Sequence, residues 1–147
     1  MAPKLHDSDV RSSIVARVRA LKPDARGRWG KMTVDQMLWH VSQSMAHDLG
    51  EARLVNQKIP FPKALVKFAV LNLPWTKGAP TNPALRAEAP HDFEAERARC
   101  LRLIDVLANR TIAGVWVDHP TFGQMVGEEV SRLHAKHLDH HLKQFGA

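Results

Sequence analysis

The stretch "LHAKHLDHHLKQFG", Leu133–Gly146, decides how this chain is read. At about 100° per residue, His137 and His141 lie about 40° apart on a helical wheel, one turn from each other. His134 falls in the same sector, with Val130, Leu138 and Phe145. His140 is turned about 100° from His141, to the edge of that stripe. The imidazoles therefore sit on the apolar face, which in a soluble helix turns toward the core. The segment is predicted to be an amphipathic helix over roughly 126–144, with histidines facing inward.

Periodicity near 3.6 also governs the rest of the chain, without convincing alternation of the strand type. Val10, Ile14, Val18 and Leu21 form one stripe, which predicts a first helix over roughly 8–22 with Ser8 as its cap. Pro23 and the glycines of "ARGRWGK" break it. Thr33-Val-Asp-Gln36 is a capping box, opening a second helix with Val34, Met37, Leu38, Val41 and Met45 on one face and Gly50 as the stop. Residues 61–75, "FPKALVKFAVLNLPW", read as a short buried helix between Pro62 and Pro74. Residues 76–91 are too rich in Pro and Gly for regular structure, and so long a connection usually covers or shapes something. Asp92 caps a further helix to about 109, with Phe93, Cys100, Ile104 and Leu107 inward. "TIAGVWVDHPTFGQ" reads as another irregular connection. Four long helices and one short one, without an internal repeat, predict an all-α up-and-down bundle forming one domain over 1–147.

Composition narrows the function classes. No apolar run approaches the ~20 residues of a membrane span, and "MAPKLHDSDV" has no hydrophobic segment of the secretory type. With one cysteine there is no internal disulfide, and a cytoplasmic location is expected. The net charge of +6 is local: residues 1–31 hold eight basic and three acidic side chains, the remainder 13 and 12. A solvated basic face accounts for this without a nucleic-acid partner. Cys100, centred on an apolar stripe, reads as a small core hydrophobe.

Nine histidines, four of them in the last fourteen positions, are the compositional anomaly. An i, i+4 pair of imidazoles on one helical face can grip one metal ion, and Zn²⁺ or Ni²⁺ suits such nitrogens. A third ligand is needed, and His40 in "QMLWHVSQ" lies on the flank of the second helix's stripe, near Met37 and Ser44. Against this stands the common fate of a buried histidine, a hydrogen-bonded core residue. Glu128, Glu129 and Asp139 are the nearest acids in the chain, but a helix start and a solvent face account for them. No catalytic residue is assigned beyond the candidate ligands.

These residues resemble the DinB-like, or YfiT-like, four-helix-bundle superfamily. The resemblance rests on His40 in the second long helix and on "HLDHHLKQ", which is similar to the superfamily's last-helix pattern. "RWGKMTVDQMLWH", "PWTKGAPTNP" and "HPTFGQMVGEEVSRLHAKHLDHHLKQFG" resemble a branch of uncharacterised function, from about residue 28 onward. One departure is Val126-Gly127, where the pattern has a Thr-Pro helix start. The resemblance implies a divalent metal on His40, His137 and His141, with Zn or Ni favoured and Fe or Mn open. It also implies transferase or hydrolase chemistry on an unknown small molecule, a low-molecular-weight thiol in better understood relatives, with a homodimer left open. It does not imply DNA binding. The walls expected around an open metal position are Trp75–Pro83, "VWVDHPTF" and the turn at Trp29. A non-catalytic bundle binding a metal or small ligand is the alternative.

Overall fold

The computed structural model describes residues 2–56, 58–78 and 81–147. Helix α1, Ser8–Ala20, buries Ile14 and Val18. Its cap is Asp7 rather than the expected Ser8, which becomes the first helical residue. Leu21 closes the helix, since Pro23 just beyond cannot continue it. Helix α2, Val34–Asp48, starts at Thr33 as its capping box predicts, and the Thr33 amide donates to Gln36 Oε1 at 3.0 Å. Helix α4, Phe93–Asn109, is capped by Asp92, whose Oδ1 accepts from the Ala95 amide at 2.7 Å. Helix α5 spans Gly127–Gln144.

The short helix α3, Lys63–Asn72, departs from its expected burial. Only Leu71 is buried, while Phe61, Leu65, Phe68 and Leu73 are each more than half exposed. The segment is apolar around most of its circumference, and its remaining core-facing contacts are partial ones such as Val70. Within the connection after it, Pro83–Leu85 form a 3-10 turn.

A second correction concerns fold class. The expectation of an all-α chain misses a hairpin: strand β1, Val115–His119, pairs antiparallel with β2, Gly123–Val126, inside the connection read as irregular. The strands are five and four residues long, with a register irregularity between Val115 and Val117. So short a pair gives little periodicity to detect. The turn is closed locally, where His119 Nδ1 accepts from the Thr121 amide at 3.0 Å. The fold is therefore mostly helical with a small two-stranded sheet.

Helix α1 packs on α4 and α5, and α2 packs on the same two. One hydrophobic core joins them through Val18, Leu38, Val41, Leu103, Leu107, Leu138 and Leu142. The start of α5 is set by a close approach: a Cβ on Gly127 would lie 2.0 Å from the Ile112 carbonyl and 2.4 Å from Trp116 Nε1. Glu129 satisfies the free amide of Val126 at 3.0 Å, so a glycine and a reach-back carboxylate replace the Thr-Pro start. None of the described helices is long and apolar enough to cross a membrane.

Candidate metal centre

Helices α2 and α5 run in opposite directions and bring His40, His137 and His141 together. Each offers a ring nitrogen, and the three atoms lie within 4.8 Å of one another. The ring centroids are 4.7–4.8 Å apart for all three pairs. His40 and His141 are buried, and His137 is partly exposed.

The outer nitrogens decide what the inner ones can do. His40 Nδ1–H donates to the Leu85 carbonyl at 2.8 Å, which leaves the Nε2 lone pair facing inward. The 3-10 turn exists at the right place to supply that carbonyl. His141 Nδ1–H donates to Gln144 Oε1 at 2.7 Å, and Gln144 Nε2 donates to the Trp29 carbonyl at 2.8 Å. The carbonyl acceptor fixes which way the Gln144 amide points, and so fixes the His141 tautomer as well. Gly30 makes this approach possible, since it has φ +78° and a Cβ there would sit 2.8 Å from Gln144 Nε2. Partners that hold the far nitrogen of each imidazole are what metal-ligating histidines have.

Electrostatics favour the neutral, ligating form. Burial depresses the His40 pKa, and burial followed by the neighbouring His40 takes His141 down to about 3. His137 falls well below the ordinary value through burial and then through His141 and His40. Three convergent imidazoles that burial keeps in the neutral form are a donor set suited to a borderline divalent cation such as Zn²⁺ or Ni²⁺. The trio could thus hold a metal ion.

From two of the expected wall segments, one tryptophan each lies beside the histidines of α5. The Trp75 ring lies 5.6 Å from His137 and 5.4 Å from His140, and the Trp29 ring lies 5.5 Å from His140. Ala79 and Pro80, in the expected Trp75–Pro83 wall, lie outside the described residues. The third wall, "VWVDHPTF", is engaged elsewhere. Trp116 packs on His6 and beneath Arg110, and His119 turns to Asp48. The acids near the trio in sequence pair with cations instead, Glu128 with Lys4, Glu129 with Lys67, and Asp139 with Arg17 and Lys143.

His134 does not join the trio. Its Nε2 pairs with Asp48 Oδ2 at 2.6 Å in the fully buried interior. His47 Nδ1–H donates to the other carboxylate oxygen at 2.8 Å, and His119 Nε2 lies 3.9 Å from it. Burial alone would raise the Asp48 pKa, but the hydrogen bonds from His134 and His47 outweigh it and hold the carboxyl well below its ordinary value. His47, Asp48 and His119 are close enough to suggest a second metal cluster. The chemistry argues against it. His119 Nδ1 accepts from the Thr121 and Phe122 amides, so a neutral ring carries its proton on Nε2, the atom that would have to ligate. The 2.6 and 2.8 Å contacts are charge-assisted hydrogen bonds rather than spacings between co-ligands. Sequence reading missed this hub. One signal was available: Asp48 is an acid in the last turn of a helix, where the macrodipole disfavours it.

Fold and site together define a mostly helical protein with a convergent three-histidine cluster between two antiparallel helices. A family model described as "Protein of unknown function (DUF1569)" matches residues 6–147, and the chain belongs to that family. No curated protein and no solved structure matches it.

Proposed function

We propose that the chain is a metal-dependent enzyme whose divalent ion is held by His40, His137 and His141. The observation that carries this reading is the paired locking of His40 by Leu85 and His141 by Gln144, which aims two Nε2 lone pairs at one point. Three ligands are one fewer than a closed structural zinc site takes. We also propose that the fold is the up-and-down four-helix bundle of the DinB-like superfamily. The resemblance of "HLDHHLKQ" and the mutual packing of α1, α2, α4 and α5 support it.

A bound divalent cation supplies Lewis acidity, lowering the pKa of a thiol or water at the site. The chain's own part is positional. Leu85 and Gln144 keep two imidazoles in the ligating tautomer, the core excludes water from the inner side, and Trp75 and Trp29 flank the partly exposed side. The substrate is a small molecule entering along these tryptophans, with a low-molecular-weight thiol as the class the resemblance favours and transferase or hydrolase chemistry as the reaction type.

A specific observation favours a second reading, a bundle without metal chemistry: His40 Nε2 and His137 Nε2 are 2.9 Å apart, a spacing that one shared proton satisfies. Elemental analysis of protein purified without chelator or metal-affinity resin separates the two. Stoichiometric zinc, nickel, iron or manganese is expected, and metal-loaded protein should consume free thiol in the presence of an electrophile where stripped protein does not. Metal-free protein that takes up none of the four ions on titration would end the metal reading.

A further inference from the structure

We propose that Asp48 is a positioning residue for the histidine trio, acting through His134. This rests on the metal reading of the trio. Asp48 ends α2 and His134 lies on α5, one turn before His137. The two helices that carry the ligands therefore meet at two levels, the trio and the Asp48–His134 bond of 2.6 Å.

Within the trio, the one link between α2 and α5 is a proton shared by His40 Nε2 and His137 Nε2 at 2.9 Å, and ligation by those nitrogens would remove it. The Leu85 and Gln144 bonds turn the lone pairs of His40 and His141 toward each other, and lone pairs do not attract. A slide of α5 by one residue moves a side chain about 1.5 Å along the axis and its equivalent position about 100° around it. The ligands converge in only one register, and something other than the ion must select that register before the ion arrives. Together with the core packing of the two helices, the Asp48–His134 bond does so. Both groups are no more than 1% exposed, and His134 Nδ1 has no partner among the described residues, so this is the ring's one hydrogen bond there. Asp48 is itself held: His47 donates to it from α2, and His119 faces it from β1 with its tautomer set by the hairpin turn. No lysine or arginine among the described residues pairs with this carboxylate; its close partners are imidazoles from three elements. A buried acid at the unfavourable end of a helix is a costly choice for stability alone.

The test is Asp48→Asn, nearly isosteric but uncharged, compared with wild type for zinc affinity by chelator competition and for the visible spectrum of the cobalt-loaded protein. Zinc affinity is expected to fall about 10–100-fold, as for other groups that orient ligands from behind, and the cobalt bands to shift. An Asp48→Asn protein that keeps wild-type affinity and an unchanged spectrum, with only its Tm lowered, would overturn the proposal. Where Asp48→Asn fails to fold, His134 provides the second arm. His134→Gln keeps an N–H for Asp48 and should stay within about threefold of wild-type affinity, whereas His134→Leu should show the full loss of about 10–100-fold. Equal affinities for the Gln and Leu variants would also overturn it. A wild-type chain that binds neither zinc nor cobalt would instead overturn the metal reading beneath.

Discussion

The side-chain amide of Gln144 accepts from His141 Nδ1 at 2.7 Å while donating to the carbonyl of Trp29 at 2.8 Å. A single side chain at the end of α5 thus ties that helix to the "RWG" turn and sets a tautomer. Gln144→Ala removes both bonds and should weaken zinc binding about 10–100-fold in chelator competition. Gln144→Glu retains an acceptor for His141 but loses the donor to Trp29, so its affinity should fall less and its Tm more. Unchanged affinity in Gln144→Ala would show that His141 needs no such lock.

The trio predicts a clear contrast among single histidine substitutions. His40→Ala, His137→Ala and His141→Ala should each lose bound metal in elemental analysis. His6→Ala should keep it, because His6 sits on Ser131 and the Arg110 carbonyl instead. Equal metal content in all four proteins would remove the trio as the binding site.

Acid should destabilise the metal-free fold in a defined window. Burial, against the opposing pull of Asp48, lowers the His119 pKa from 6.5 to about 4. Above pH 6.5 both folded and unfolded rings are neutral and this contribution is fully present. Between 6.5 and about 4 the unfolded chain takes a proton that the folded one refuses, so stability falls with pH. The loss from this ring is on the order of 2–3 kcal/mol. Asp48, lowered from 3.8, adds its own loss only below that pH. Urea unfolding at about pH 7, 5.5 and 4.5 reads the slope, and His119→Phe should reduce it without abolishing it, since His40, His137 and His141 are lowered as well.

Gly127→Ala places a Cβ against the Ile112 carbonyl and the Trp116 indole. Either the hairpin or the first turn of α5 must move. Overpacking of this kind should lower Tm by about 5–10 °C. A calorimetric Tm within about 1 °C of wild type would mean that the segment before α5 yields freely.

The basic N-terminal face should not recognise nucleic acid. Two of its cations are already committed within the fold, Arg17 to Asp139 and Arg11 to the Leu5 and His6 carbonyls. Fluorescence anisotropy at physiological salt should show duplex and single-strand binding no tighter than about 1 µM, with the steep salt dependence of non-specific contacts. Tighter binding that resists salt would reverse this view.

Much of the architecture follows from local sequence because helices are specified locally. The Thr33–Gln36 box, the Asp92 cap, and the stops at Pro23 and Gly50 act within a turn of the residues that carry them. The 3.6-residue period likewise puts His137 and His141 on one inward-turned face, with His40 flanking the stripe of its own helix. What escaped lacks such a local signature. The hairpin at Val115–Val126 is too short to show a period, and α3 is apolar on more faces than the core has room to cover.

The division is sharpest at the site. Sequence alone determined which imidazoles could share a face, since that depends only on residue spacing along a helix. It could not determine that Leu85, 45 residues from His40, would supply the carbonyl that orients it, nor that Trp29 would orient Gln144 across 115 residues. Nor could it separate His134 from His137 and His141, which share its sector of the wheel. Only the register of α5 against α2 hands His134 to Asp48 and the other two to His40. That register is fixed by core packing and one buried hydrogen bond between residues 86 apart, a relation that no local pattern encodes.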